Sequence, residues 1–196
     1  MKEPPSEALT VILETRRFRL RPLTDADVTP EYVCWMNDPD VVRYLDSRYM
    51  PQTAATIRRY LKKFDGIHSF IWAICDKQST THIGNATLYV DWVNRLAEPG
   101  CLIGVKAYWG KNVLLEVYVS IFDYVFFELR MEKLWAKTRT CNYSAIWNLR
   151  KLGMTFEAEL HDHVIFEDRR VNLLVASIFK EQWLDRRLKL NTINDR

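Results

Sequence analysis

A loop that could bind an anion precedes a strongly helical pattern. Residues 108–112, Tyr-Trp-Gly-Lys-Asn, follow an apolar run at 101–105 that is typical of a strand. Apolar residues then recur every fourth position, at Val113, Val117, Ile121, Val125 and Leu129, as on one face of a helix. A strand, a tight turn and a helix bring unpaired backbone N–H groups and the positive end of the helix dipole to one point. We therefore expect a phosphate at the start of this helix.

The rest of the chain supplies the elements that must position this loop. The patterns predict strands over 11–20, 70–75, 83–90 and 132–138, helices after the capping box at 24–27, over 53–64 and over 142–152, and a final antiparallel pair, 164–166 with 171–179. The helix that follows the loop joins two strands at a distance that suits a parallel crossover. The fold class is thus α/β, in the broad sense that includes α+β.

Composition indicates a single globular domain. The chain has 196 residues, 48% of them hydrophobic, which suits one domain over 1–196, with residues 1–8 and about 185–196 flexible. The formal net charge of +3 is dispersed, so nucleic acid is not an expected partner. We find no run long enough to span a bilayer and no apolar signal region, so we expect a cytoplasmic location and no membrane partner.

Neither the histidines nor the cysteines form a metal site. His161, Asp162 and His163 are chemically adequate ligands, but no third cluster accompanies them. The four cysteines lack a C-x-x-C pair and are expected to be free thiols; they are Cys34, Cys75, Cys101 and Cys141. Cys101 has two interpretations, a thiol that takes up an acyl group or a small buried hydrophobe, and we favour the second.

Several motifs in order resemble one enzyme family. Tyr-Trp-Gly-Lys at 108–111, Glu-Leu-Arg-Met-Glu-Lys-Leu at 128–134, Asn142, and Lys-Leu-Gly-Met at 151–154 resemble the acetyl-CoA-binding core of the GCN5-related N-acetyltransferases (GNAT). The similarity extends through 13–23 and 82–85, so it covers nearly the whole chain, and it is greatest to the branch that includes the ribosomal-protein N-terminal acetylases. The segment 35–45 is similar to acetyltransferases of amino sugars on nucleotide carriers.

The resemblance implies a fold and a reaction. The fold would be a central mixed, mostly antiparallel sheet with a splayed parallel strand pair and flanking helices. The reaction would transfer acetyl from acetyl-CoA, a co-substrate, to a primary amine of a small molecule such as an amino sugar nucleotide, without a metal. A protein N-terminus or an aminoglycoside would use the same chemistry, a catalytically degenerate binding protein is an alternative of another class, and a homodimer is an expected assembly.

The resemblance also implies site residues. Those for the cofactor are Cys101, Ile103, Gly104, Trp109, Gly110, Lys111, Asn112, Val113, Leu114, Asn142 and Ser144. Glu98 aligns with an acidic residue of the branch and is the candidate general base; a solvated carboxylate is the other interpretation, and Asp91 and Glu116 are weaker candidates. The acceptor residues would be Asn37, Arg43, Tyr44, Arg48 and Trp92, which are equally plausible in packing and surface roles.

Three positions depart from the family pattern. Asn112 stands where glycine is usual, and asparagine tolerates positive φ and caps helices well. Leu114 stands where glycine or alanine is usual, so its side chain either crowds the phosphate or points into the core. Leu149 stands where many members have a tyrosine that protonates the leaving thiolate, and Tyr143, one turn away, is not assigned that role.

Overall fold

The computed structural model describes residues 4–194, with side chains as far as Leu190. The described residues form one eight-stranded sheet in the order β1-β2-β3-β4-β5-β6-β8-β7. The strands are β1 (Leu13–Glu14), β2 (Phe18–Pro22), β3 (Ser69–Asp76), β4 (His82–Asp91), β5 (Leu96–Ile103), β6 (Lys133–Arg139), β7 (Thr155–Phe166) and β8 (Arg169–Phe179). The α-helices are α1 (Pro30–Asn37), α2 (Ala54–Leu61), α3 (Val113–Asp123), α4 (Tyr143–Lys151) and α5 (Lys180–Asn194).

Helices cover the two faces of the sheet, and β3 shows why. Its residues alternate between a main core shared with α3, α4 and α5, which receives Trp72, and a smaller core under α1 and α2, which receives Ala73. Because both faces of β3 are buried, the strand is apolar along nearly its whole length. The mixed, mostly antiparallel sheet with flanking helices confirms the predicted fold class.

The parallel strand pair is joined over only two residues. Leu96 of β5 pairs with Lys133 of β6 and Ala97 pairs with Leu134, and the pairing ends there. Beyond Ala97 the two strands diverge, while β5 stays paired with β4 as far as Ile103. We call the space between residues 98–103 of β5 and 135–139 of β6 the strand gap. Pro99, which cannot donate a ladder hydrogen bond, lies at its start.

Several boundaries differ from the sequence prediction. The strand predicted over 11–20 is two short strands, because the Thr15 N–H donates to the Phe18 carbonyl and the Thr15 hydroxyl accepts from the Phe18 N–H, which closes a turn. The capping box at 24–27 encloses a short 3-10 turn, and α1 begins later with Thr29 as its own cap. α3 ends at Asp123 and continues as one π-helical turn.

The C-terminal part of the chain is more regular than predicted. β7 and β8 form a hairpin much longer than the predicted pair, with register shifts between Phe156 and Ala158 and between Leu160 and Val164. The segment expected to be flexible from about residue 185 is helical through Asn194, and Leu190 is buried. Of the other residues expected to be flexible, 1–3 and 195–196 lie outside the described range.

Candidate active site

The loop between β5 and α3 has the backbone geometry of an anion site. Gly110 and Asn112 adopt left-handed conformations, with φ of 72° and 57°. Asn112 occupies the cap position, but its side chain makes no hydrogen bond to the helix, because a capping side chain normally requires extended backbone. The first N–H groups of α3 therefore have no side-chain cap and remain available to a bound anion.

Neighbouring groups hold this loop in place. The Arg17 guanidinium donates to the Lys111 carbonyl at 2.8 Å, and the Trp109 indole N–H donates to the Ile103 carbonyl at 2.9 Å. Leu114 is half-buried and packs against the main core, in agreement with the second of its two interpretations. The loop conformation thus does not depend on glycine at 112 or on alanine at 114.

The predicted cofactor residues fall on two neighbouring helix N-termini. Residues 101–114 form one continuous segment from β5 into α3, and Asn142 caps α4 by accepting from the Ala145 N–H at 3.2 Å. Because β5 and β6 run parallel, their carboxyl ends lie at one edge of the sheet, and both helices start from that edge. Ser144 is exposed in the first turn of α4, where it follows Asn142.

Glu98 lies at the point where the strand gap opens. It follows Ala97, the last residue of β5 that pairs with β6, and its carboxylate lies 3.2 Å from the Lys137 ammonium across the gap. Glu98 is paired with Tyr89 of β4, whose hydroxyl lies 3.4 Å from that of Tyr60 in α2. The Glu98 side chain therefore lies on the face of the sheet that α1 and α2 cover, and it is 26% exposed.

The other acids considered as bases have structural partners. Burial raises the pKa of Glu116, but hydrogen bonds from the Arg17 N–H, the Thr15 hydroxyl and the Arg17 guanidinium bring it below its usual value. Asp91 accepts from both the backbone and the side chain of Asn94, which lowers its pKa and closes the turn after β4. Both carboxylates are used to join segments of the chain.

Close packing constrains the Cys101 thiol on β5 and Gly104, which follows the strand. Burial raises the pKa of the Cys101 thiol to about 12, so it is a poor nucleophile and a packing residue, as favoured from the sequence. A Cβ added to Gly104 would lie 2.1 Å from Cδ2 of Trp35. Only glycine therefore allows the Trp35 ring of α1 to cover the end of β5 at this distance.

The phenol expected on α4 is absent. Leu149 is buried in the main core, and Tyr143 is 78% exposed. Tyr118 of α3 is buried on the opposite side of the sheet from α1, and burial, followed by the charges of Cys101 and Glu98, raises its pKa well above its usual value. Neither Tyr118 nor Lys137 was identified from the sequence, because only the packing of α3 and the register of β5 with β6 place them near Glu98.

The predicted acceptor residues are mostly held by packing contacts in the linker between α1 and α2. Arg43 pairs with Glu167 at 3.0 Å, and the Tyr44 ring stacks on Phe166 with 5.4 Å between centroids. The Arg48 guanidinium lies over the same Phe166 ring. The linker thus lies against the end of the β7–β8 hairpin, where buried Arg139 at the end of β6 also pairs with Asp46.

The remaining two acceptor residues are used internally. The Asn37 amide donates to the carbonyls of Val33 and Gln52 and accepts from the Gln52 N–H. Trp92 is buried in the main core, and its indole donates to the Ile67 carbonyl. The structure therefore brings Arg43, Tyr44 and Arg48 together and places Trp92 away from any surface an acceptor could reach.

Comparison with known families decides what this arrangement is. A sequence profile described as an acetyltransferase (GNAT) domain matches residues 17–155. The chain belongs to the GNAT family. It is an acetyl-CoA-using N-acetyltransferase, and the family predicted from the motifs is confirmed.

Two bacterial relatives are similar over nearly their whole length. The chain is 28% identical over 179 residues to the uncharacterized N-acetyltransferase p20 of Bacillus licheniformis, covering 87% of this chain and 97% of the relative. It is 27% identical over 173 residues to the uncharacterized N-acetyltransferase YoaA of Bacillus subtilis, covering 86% and 97%.

Solved structures share the fold of this acetyltransferase. A GNAT-family acetyltransferase from Bacillus anthracis superposes with a TM-score of 0.76 at 17% identity, covering 87% of this chain and 99% of that one. The spermidine N-acetyltransferase of Vibrio cholerae, solved with CoA and spermine, gives a TM-score of 0.76 at 19% identity, with coverage of 86% and 98%.

A cavity of about 1050 Å³ runs along the flank of α3. It meets the loop between β5 and α3 at Lys111 and Asn112 and continues to Trp147 of α4 and Arg186 of α5. No residue of β5 lines it, so among the described residues this cavity is separate from the strand gap at Glu98.

No group of three or more histidine, cysteine or acidic side chains within residues 4–190 is arranged to hold a metal ion. His161, at the irregular part of β7, lies 3.3 Å from the Asn172 amide instead. In the part of the chain that the structure describes, no helix combines the length and apolar character needed to cross a membrane.

Proposed function

We propose that this acetyltransferase transfers acetyl directly from acetyl-CoA to the primary amine of a small molecule, with Glu98 as general base. The observation that carries the proposal is the position of Glu98 at the opening of the strand gap, on the face covered by α1 and α2. Glu116 and Asp91 have hydrogen-bond partners that occupy their carboxylates. In the described part of the chain, the Lys137 ammonium is the group that lies opposite the Glu98 carboxylate.

The uncapped start of α3 supports pyrophosphate binding. Backbone N–H groups from Val113 onward would hold the phosphates, and the open side of Gly110, where an added Cβ would meet nothing within 4 Å, leaves room for them. The backbone of residues 101–104 would bind the pantetheine and the thioester oxygen, since these residues have no partner strand on the side of the gap. Asn142 and Ser144 would contribute from α4.

The reaction would follow from these positions. Glu98 accepts a proton from the ammonium of the acceptor, and the neutral amine attacks the thioester carbonyl. Backbone N–H groups of β5 stabilise the oxyanion. The C–S bond then breaks, and the proton that the attacking nitrogen loses passes to the departing CoA thiolate or to water. Holding both substrates in one complex contributes to the rate without an ideal acid at position 149.

We propose an amino sugar nucleotide as the acceptor. The similarity of segment 35–45 to acetyltransferases of such substrates supports it, as does the Lys137 ammonium beside Glu98. A polyamine, the substrate class named for the Vibrio cholerae enzyme, would meet like charges there. A protein N-terminus, as in the ribosomal-protein branch, and an aminoglycoside are the other acceptors to screen. A cytoplasmic, single-domain, homodimeric enzyme remains a prediction.

Calorimetry and kinetics test this function. Acetyl-CoA and desulfo-CoA are titrated first, and micromolar binding is expected; no binding at millimolar donor would favour a degenerate binding protein. With an accepted amine, E98Q should lower kcat/KM by about 100-fold or more while acetyl-CoA affinity is kept. D91N removes the same charge from a turn and should retain activity. Equal activity of E98Q and wild type would exclude Glu98 as the base.

A further inference from the structure

Lys137 is the counter-ion of the proposed base. It projects from β6 across the strand gap, and its ammonium is 3.2 Å from the Glu98 carboxylate. Its side chain is 50% exposed, and its ammonium lies over the Trp135 ring with 5.2 Å to the centroid. The pair therefore stands at an opening that solvent and ligands can reach.

The other basic residues on this face of β6 have carboxylates that take no part in the proposed reaction. Lys133 pairs with Glu157 at 2.8 Å, and Arg139 pairs with Asp46. For Lys137, Glu98 is the carboxylate within ion-pair distance among the described residues. Lys137 is thus the basic residue of β6 that is paired with the proposed general base, Glu98.

This pairing restricts which amines can use Glu98. An acceptor amine arrives as an ammonium and must approach the carboxylate that already holds the Lys137 ammonium, so the two cations repel each other. An acceptor that also carries an anion would give Lys137 a second partner. The lysine could then move away from Glu98 on its flexible stem, which leaves the carboxylate for the amine.

We propose that Lys137 is a specificity residue that selects primary amines bearing a phosphate group close to the amine. The proposal rests on the proposed function of Glu98 and deepens it. The acceptor phosphate binds Lys137, and the acceptor ammonium takes the place of Lys137 at Glu98. An amine without an anion, or with further cations, leaves Lys137 on the base and reacts slowly.

Kinetics of Lys137 variants test the proposal. Glucosamine, glucosamine 1-phosphate, UDP-glucosamine and spermidine are compared as acceptors for wild type, K137M, K137R and the matched control K133M. Wild type and K133M should prefer the phosphorylated sugars at least about tenfold in kcat/KM. K137M should lose that preference, because kcat/KM falls for the two phosphorylated sugars and rises for glucosamine and spermidine once no ammonium occupies Glu98, and K137R should keep it. The two phosphorylated probes separate a sugar phosphate from a nucleotide as the source of the anion.

Other outcomes distinguish the inference from the function beneath it. An equal loss for all four amines in K137M would show a structural role, and an unchanged ratio would also overturn the proposal. If wild type acetylates none of these amines, the proposed function fails for them. The role of Lys137 is then tested separately by measuring, with calorimetry in the presence of CoA, the affinity of wild type and K137M for glucosamine 1-phosphate. A tenfold weaker affinity in K137M supports the proposal, whereas equal affinity overturns it.

Discussion

At the scale of single residues, hydrogen bonding separates the carboxylates that hold the chain together from the one at the strand gap. Asp27 and Glu116 each accept from backbone N–H groups and from an arginine. These donors stabilise the ionised form and reduce its basicity. Glu98 has no such N–H donors among the contacts of the described residues, and the half-exposed Lys137 ammonium is its neighbour.

Asp27 should make stability depend on pH. Burial raises its pKa, but the Arg21 guanidinium and the Thr24 N–H and hydroxyl bring it down to about 2. A carboxyl group whose pKa is lowered by folding stabilises the folded protein at pH values above its pKa in the unfolded chain, near ~3.9. This stabilisation is lost as the pH falls toward the pKa of the group in the folded protein. D27N should therefore lower the free energy of unfolding at pH 7 on the order of 1–2 kcal/mol, and by less at pH 3.

Urea unfolding at several pH values measures this difference. D25N, in the same turn but exposed, is the matched control and should change stability little at any of them. A difference between D27N and wild type that stayed constant from pH 7 to pH 3 would contradict the assigned pair.

At the scale of elements, α3 and its loop combine two unusual residues without strain in the helix. Asn112 is left-handed, a conformation that asparagine adopts more readily than most residues. Leu114 packs against the main core. The two departures from the family pattern are therefore accommodated by one backbone conformation and one packing contact.

Restoring the family residues should thus improve binding little. N112G should raise the free energy of unfolding by up to about 1 kcal/mol, because glycine has no left-handed penalty. L114A should cost about 1–3 kcal/mol through lost packing. We expect the acetyl-CoA Kd of N112G, and of the double variant, to change by less than about threefold in calorimetry. A large gain in affinity would instead indicate a degenerate loop.

At the scale of the whole molecule, α5 closes the core on the α3 side. Trp183 is fully buried, its ring meets Phe122 at 5.1 Å between centroids, and its indole donates to Asp123 at 2.9 Å. Arg187 of the same helix pairs with Asp123. Helix α5 therefore supports α3, the helix whose start we propose to bind the pyrophosphate of acetyl-CoA.

Loss of Trp183 should reveal this support. W183A should lower the free energy of unfolding by about 3–5 kcal/mol, because a large buried side chain leaves a cavity. W147A, which removes a tryptophan that is 46% exposed, should change it by less than about 1 kcal/mol. Guanidinium unfolding compares the two, and similar small losses would mean that α5 does not dock as described.

Short-range patterns in the sequence determined the elements and their class. The fourfold spacing in α3 and the crossover length predicted a parallel strand pair, and the alternation predicted the strands, whereas the mixed, mostly antiparallel sheet was implied by the family resemblance. Local chemistry also predicted the turn before α3, because backbone preferences at Gly110 and Asn112 act within a few residues; phosphate binding there stays a prediction. The same reasoning ran one strand through 11–20, where β1 ends at Glu14 and β2 begins at Phe18, and treated residues from about 185 as flexible. The Thr15 turn and the docking of α5 depend on partners further away.

Only the tertiary structure decided which side chains meet. Lys137 faces Glu98 because two strands separated by a helix pair in one register over two residues. The residue types at Trp92, Leu114 and Glu116 do not show whether the side chains pack inside the protein or face a ligand. The distant segments that pack on them decide this. Local preferences are encoded in neighbouring residues, whereas contacts across the strand gap arise from the packing of elements far apart in the chain.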